Sequence, residues 1–435
     1  MLQRRGSQDH AVDGPEAAPR PDSGGFRHVR AITEAIAEPL SAEDQTAQSM
    51  PDVSPTKWHR AHVSWFFEEF VLGPHSAGYE PYHPSYRYLF NSYYDAVGDR
   101  HPRPERGVVT RPGIDEVASY RDHVDTAMTG LLDAGPPPEA LALVELGLHH
   151  EQQHQELMLM DIKHVLSRNV LDPVYRTRQP RCVDVAGPSA RWSSFPGGLV
   201  EVGHRGGCFA FDNESGTHRH HLEPFELACR PVTCGEVLAF IADGGYQRSE
   251  LWLSDGWTTV TAQGWEAPLY WRNEGGDDWS VFTLAGRGPV DAGEPVCHVS
   301  YYEADAIARW AGARLPTEFE WETAAADVPV EGNLLDLDQL HPGPAADAAD
   351  ATVAQLFGDV WEWTASAYLP YPGFRTKPGA VGEYNGKFMV NQQVLRGGSC
   401  LTPPGHVRPT YRNFFPPSAR WPMTGLRLAR DAEAQ

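Results

Sequence analysis

The feature that most limits the fold is a change of texture near residue 180. Between Phe26 and about Arg168, apolar residues recur at helical spacing; beyond residue 190 they fall into short runs separated by Gly, Pro and Trp. The first pattern asks for helices packed on helices, the second for short strands joined by long loops. The expected fold class is therefore α+β: a four-helix bundle over residues 25–170, a linker over 171–190 and a loop-rich domain over 191–435. A chain of 435 residues has room for both, since single cores stop growing at about 250–300 residues.

Within the first part, "SPTKWHRAHVSWFFEEFVL" reads as a helix with Ser54 as N-cap and Pro55 at the first helical position, followed by Trp58, His62, Trp65 and Phe66. "GIDEVASYRDHVDTAMTGLLD" suggests a third helix. The fourth starts at Pro138 and carries an apolar stripe of Leu141, Val144, Leu148, Leu157, Ile162 and Val165, with Asn169 as its stop.

Residues 1–24 are rich in Pro, Gly, Ala and charge without an apolar stretch, so a disordered tail with no signal peptide is expected. No segment approaches the ~20 apolar residues of a membrane span; a soluble, cytoplasmic protein is the expectation. Thirty-six basic against 58 acidic residues give a formal net charge of −22, which repels nucleic acid and anionic membrane surfaces. The composition suits an enzyme whose partners are small molecules. Six cysteines without a CxxC pair indicate neither a zinc knuckle nor a disulfide framework.

The fourth helix holds "HHEQQH", a His-Glu-x-x-His string at His150, Glu151 and His154. Histidines four apart on a helix share a face about 6 Å apart along the axis, which suits two imidazoles on one ion. A zinc protease needs more. An extended zincin would place Gly at 157 and His at 160, where this chain has Leu157 and Met160, and no Glu follows Glu156 until Glu201. The bland reading, a solvated polar helix face, competes until context is added.

Context comes from resemblance. "GGLVEVG", "RLPTEFEWETAA", "GDVWEW", "LRGGSC" and "GLRLAR" in the second half resemble the formylglycine-generating-enzyme, or sulfatase-modifying-factor, domain with its C-lectin-like fold. "WHRAHVSWFFE" and "HHEQQHQE" resemble a DinB-like helical bundle. Their pairing in one chain is similar to the sulfoxide synthases of ergothioneine biosynthesis. That resemblance implies a non-haem Fe(II) held by His62, His150 and His154, with O2 as co-substrate; Glu151 is then no protease base. Three neutral imidazoles suit Fe(II) and leave positions open for substrates. His59, one turn before His62, reads as a supporting residue rather than a ligand, and His149 should point elsewhere.

The same resemblance implies joining a thiol sulfur to C2 of the imidazole of hercynine, with oxidation to the sulfoxide. "LFNSYYDAVGDRHPRPERG" is similar to the branch that uses free cysteine. It implies Tyr94, with Tyr93, as the phenol near iron, the alternative being two tyrosines that only pack a loop. Arg103 would grip the cysteine carboxylate and Asp52 its ammonium; taken alone, both read as surface charges. "YRNFFPPSARW" implies Asn413, Phe414 and Phe415 around the betaine, whose quaternary ammonium suits aromatic faces. Gln153, between the two histidines, would hydrogen-bond the substrate imidazole. In the gamma-glutamylcysteine branch the catalytic tyrosine precedes "LRGGS", and "GAVGEYNGKFMVNQQ" shows no clear match to it. Phe415 stands where that branch carries an acid. The alternatives are a selenoneine-forming synthase using a selenosugar, an ovothiol-type synthase using histidine, a formylglycine-generating enzyme, disfavoured by the solitary Cys400, and a lectin-like binding module. A reactive centre shared between bundle and second domain is expected.

Overall fold

The computed structural model describes residues 18–178, 191–345, 353–376 and 380–432. Most of the expected tail (1–17), most of the linker (179–190) and residues 346–352 of the Ala/Asp/Pro-rich insert lie outside the described residues. Asp22 opens the first helix by accepting from the Gly25 N–H at 2.8 Å, a carboxylate at a helix N-terminus satisfying an orphan donor. From there α1 (Ser23–Ala37) buries Phe26, Val29, Thr33 and Ile36.

All 12 residues of α2 (Thr56–Phe67) are buried, and the helix runs on into a π-helical turn at Glu68–Leu72. Pro55 is the N-cap here, with no side-chain cap. Ser54, expected in that role, instead accepts from Arg106 at 2.8 Å and donates its backbone N–H to Asp161; tertiary partners outbid the local cap. The bundle is completed by α3 (Ile114–Asp133) and α4 (Pro138–Ser167). At 30 residues α4 is about 45 Å long. It crosses α2 at Gly147, where a Cβ would stand 2.5 Å from the Phe67 ring.

Buried charge sets the rotation of α4. Glu151 is fully buried, accepting from Arg30 of α1 at 2.9 Å, from Thr33 at 2.6 Å and from Arg121 of α3 at 3.3 Å. Against the cost of burial, the two guanidinium groups hold its carboxyl below the usual range. Turning α4 would strand that charge, so the angle at which its neighbours His150 and His154 leave the helix is fixed with it.

The second domain spends few residues on strands. β1 (Trp192–Phe195), β2 (Gly198–Val202), β3 (His218–Leu222) and β4 (Phe225–Ala228) give a β2–β3 ribbon and a β1–β4 pair. After α5 (Cys234–Ala242) and α6 (Ser254–Gln263), β5 (Trp271–Gly275), β6 (Asp278–Thr283) and β7 (Gly286–Pro289) form an antiparallel meander. Helices α7 (Tyr301–Trp310) and α8 (Glu318–Ala325) follow, then β8 (Trp361–Ala367), β9 (Gln393–Arg396), β10 (Asn413–Phe415), β11 (Thr424–Gly425) and β12 (Ala429–Asp431). The four-stranded sheet runs β10-β9-β8-β11, and β12 joins β4.

The recurrent sequence motifs build this scaffold. Thr317 of "RLPTEFEW" caps α8 in a capping box with Glu320. Arg396 of "LRGGSC" pairs with Glu318 and Glu322, and Arg427 of "GLRLAR" with Glu362 of "GDVWEW".

Two motifs also dock on α4. Glu156 accepts from the Trp361 indole at 2.7 Å, from Ser399 at 2.7 Å and from Thr402 at 2.9 Å, all buried. Met158, Leu159 and Ile162 continue into an apolar cluster with Phe282, Leu401 and Met423. The segment after α4 is tied down as well, the Tyr175 hydroxyl donating to the Ile36 carbonyl at 2.6 Å.

Candidate metal centre and substrate cavity

His62 leaves α2 toward α4, where the periodicity of a straight helix returns His150 and His154 to one face. One ring nitrogen from each of the three lies within 4.8 Å of the others. His62 Nε2 and His150 Nε2 are 3.2 Å apart. The other nitrogen of His62, Nδ1, is bonded to the Phe90 carbonyl at 2.6 Å, while His150 Nδ1 is buried and without a partner. Burial pushes His150 down to about 3, and burial with the neighbouring imidazoles holds His62 and His154 well below the ordinary histidine value. Three neutral rings therefore present lone pairs to a common point. This donor set fits a borderline divalent ion such as Fe(II), and it leaves part of the coordination sphere to non-protein groups.

A cavity of about 440 Å³ adjoins the trio, with His150, His154, His59 and Trp58 at its base. Trp58 stacks on His62 at 4.7 Å between ring centroids, and the Arg106 guanidinium lies 3.4 Å over the Trp58 ring. One wall is cationic: Arg100, Arg103 and Arg106 all line it. Arg100 pairs with Asp95. Among the described residues Arg103 donates to the Asp52 backbone carbonyl and Arg106 to the Ser54 hydroxyl, the buried Arg106 Nε meeting no acceptor there. Two guanidinium groups side by side, neither in an ion pair among the described residues, suit an anion. Asp52 itself is exposed and does not line the cavity; the acids that do are Asp161 and Glu156.

The facing wall belongs to the second domain, through Trp361, Tyr384, Tyr411, Asn413, Phe414 and Phe415. Phe414 is stacked on Tyr368 at 4.0 Å, which fixes its ring, and Asn413 turns its oxygen back to the Phe414 N–H at 2.9 Å. Gln153 joins the two walls. It donates to the Tyr411 hydroxyl at 2.7 Å and accepts from Tyr384.

The two adjacent tyrosines divide. Tyr93 lines the cavity. Tyr94 does not; it lies fully buried behind Tyr93, the rings stacked at 4.6 Å, against Trp65 and Phe70, with its hydroxyl unpartnered. Burial raises the pKa of both phenols, keeping them protonated. His149 points away, stacking on Phe209 at 4.0 Å.

Sequence reasoning missed Tyr384, Tyr411, Arg106, Asp161 and Glu156. Tyr411 opens "YRNFF" and Arg106 lies one turn beyond Arg103, so both had a signal. Tyr384 sits in a loop with no periodicity, yet its ring centroid stands 5.8 Å from that of His150.

With this geometry in hand, the chain was compared with known proteins. Residues 26–158 match the DinB superfamily, and residues 184–334 and 336–432 match the sulfatase-modifying factor enzyme 1-like domain. The hercynine oxygenase of Mycolicibacterium thermoresistibile is 33% identical over 411 residues, covering 88% of this chain and 89% of that protein. The chain belongs to the hercynine oxygenase family. The hercynine oxygenase of Mycobacterium tuberculosis is also 33% identical, covering 88% of this chain and 92% of its own length. The formylglycine-generating enzyme of Streptomyces coelicolor is 28% identical over 58% of the chain, so that likeness is confined to part of the molecule. This protein is accordingly an oxygenase-type enzyme of ergothioneine biosynthesis with an α+β architecture. Among the described residues no helix is long and apolar enough to cross a membrane.

Proposed function

We propose that this enzyme joins the sulfur of cysteine to C2 of the hercynine imidazole and oxidises that sulfur, yielding hercynylcysteine sulfoxide, with Fe(II) held by His62, His150 and His154. The observation that carries the reading is a three-histidine cluster whose His150 and His154 open onto a cavity with a cationic wall on the bundle side and an aromatic wall on the other. Overall, one atom of O2 goes to sulfur, and the other leaves as water with the thiol proton and the C2 hydrogen. When bound, iron supplies the redox chemistry that activates dioxygen and the open positions at which substrates are brought together.

The chain's own residues do the placing. Arg103, with Arg106 beside it, grips a carboxylate. Asp52 lies at the rim, its carbonyl fixing Arg103. Phe414 and Phe415 offer aromatic faces to a trimethylammonium group, which has no proton to donate. Asn413 and Gln153 supply the polar contacts, Gln153 with its amide oriented by two phenols. Tyr93, kept protonated by burial, holds a proton at the cavity, with Tyr94 stacked behind it as its support.

A second reading, gamma-glutamylcysteine as the thiol, is favoured by one observation: three arginines on one wall exceed what a single carboxylate requires. Mass spectrometry of products from hercynine and O2 with cysteine, gamma-glutamylcysteine or a selenosugar decides the thiol. Cysteine is expected to give the coupled sulfoxide fastest; product from gamma-glutamylcysteine alone would replace the first reading with the second. Iron retained after anaerobic reconstitution, and lost in His150→Ala, is the expected companion result.

A further inference from the structure

His59 and Asp161 are buried, line the cavity and have no part in the chemistry described so far. They form a chain that ends on His154. Asp161 Oδ2 lies 3.0 Å from His59 Nε2, and His59 Nδ1 lies 2.8 Å from His154 Nδ1. The same carboxylate oxygen accepts the Ser54 backbone N–H at 2.8 Å, which anchors it from a third direction. His59 sits one turn before His62 on α2, and Asp161 two turns after His154 on α4. α2 thus provides His62 of the trio and His59 of this chain, while α4 provides His150 and His154 together with Asp161.

Proton bookkeeping along the chain has one consistent solution. A carboxylate oxygen only accepts, so the proton between Asp161 and His59 belongs to His59 Nε2. With one proton per ring, His59 Nδ1 is then a lone pair, and the proton in the 2.8 Å contact belongs to His154 Nδ1. His154 is left with its lone pair on Nε2. The Phe90 carbonyl, which also only accepts, imposes the same tautomer on His62. The two rings reach that state by different means: His62 through a main-chain carbonyl, His154 through a second imidazole backed by a carboxylate.

We propose that Asp161 and His59 are positioning residues that set the tautomer and ring angle of His154, making its Nε2 the nitrogen that binds the metal. The inference rests on the reading of His62, His150 and His154 as the metal centre. Partners that orient a metal-bound histidine typically change affinity by roughly 10–100-fold when removed. His59→Leu removes the acceptor for His154 Nδ1–H and frees the ring to turn or change tautomer. His59→Asn places an amide oxygen where Nδ1 stood and restores an acceptor.

The test is anaerobic titration of the full chain with Co(II), read by the visible absorption of the bound ion and by competition with a chromophoric chelator. His59→Leu is expected to weaken Co(II) binding about 10–100-fold and to shift the absorption, and His59→Asn to recover most of both. Thermal unfolding of the metal-free proteins checks that the fold is intact; should His59→Leu not fold, Asp161→Leu, which unanchors His59, is expected to give the same weakening. Wild-type affinity and spectrum in a folded His59→Leu or Asp161→Leu protein would overturn the inference while leaving the metal centre standing. No Co(II) binding by the wild type would overturn both, and His62→Ala separates specific from adventitious binding, since it is expected to abolish the absorption.

Discussion

Arg103 is the residue on which thiol recognition turns most directly. It is exposed, and among the described residues its side chain is held by the Asp52 carbonyl and enters no ion pair, which leaves its charge to a ligand. Arg103→Ala is expected to raise the KM for the thiol about 10–100-fold, the worth of a charge-assisted contact of roughly 1.5–3 kcal/mol, and to leave the KM for hercynine unchanged in steady-state kinetics. The tyrosine pair makes a second residue-level prediction. Tyr93 lines the cavity and Tyr94 does not, so Tyr93→Phe is expected to lower C–S coupling at least about 100-fold relative to simple thiol oxidation, the lower end of general-acid contributions. Tyr94→Phe should change the product ratio less than about threefold, a buried hydroxyl without a partner costing little to remove. Product ratios by mass spectrometry check both.

Among the elements, α4 bears two unrelated duties. One side of its middle turns presents His150 and His154, and Glu156, two residues on, is the acceptor for three donors of the second domain. Glu156→Leu would leave the Trp361 indole, Ser399 and Thr402 buried without their acceptor, and is expected to destabilise the protein by roughly 2–5 kcal/mol, read from the denaturant midpoint at constant slope. Such elements differ in how far their sequence announced them. α4 and α3 were legible because a 3.6-residue period persists over many turns, and the pair His150 and His154 because they share that period; His62, on α2, was reached only through the family resemblance. Ser54 misled because a good cap residue was claimed by Arg106 and Asp161 from far along the chain. Asp161 and Tyr384 were invisible for the same reason, since their meaning lies in what another element brings to them. Whether Tyr93 or Tyr94 faces the cavity could not be read from a loop lacking any repeat.

At the scale of the whole molecule, buried histidines outside the trio contribute to the response to acid. Burial pushes His164 down to about 4 and holds His298 and His406 well below the ordinary value. In the unfolded chain each titrates near the reference value of about 6.5. The folded state therefore binds fewer protons than the unfolded state below that pH. The stability these groups contribute is fully present above about pH 6.5 and is lost as the pH falls toward 4 and below, at about 1.4 kcal/mol per pH unit for each. Urea midpoints of the metal-free protein measured from pH 7.5 to 4.5 should fall with a slope that lessens in His164→Gln.

The grip of Trp361, Ser399 and Thr402 on one carboxylate beside the histidines bears on traffic. Swinging the domains apart to admit a reactant would tear that clasp next to the very turn that holds the imidazoles. A looser seam lies where the loop bearing Tyr93 meets the one bearing Tyr384, both of which line the cavity. There Glu383 is hydrogen-bonded to the main chain of Asp95 and Ala96, and Lys387 bridges Asp95 and Glu383. Those fastenings are partly exposed to water and hold the two loops far more loosely than the buried clasp holds the hearth.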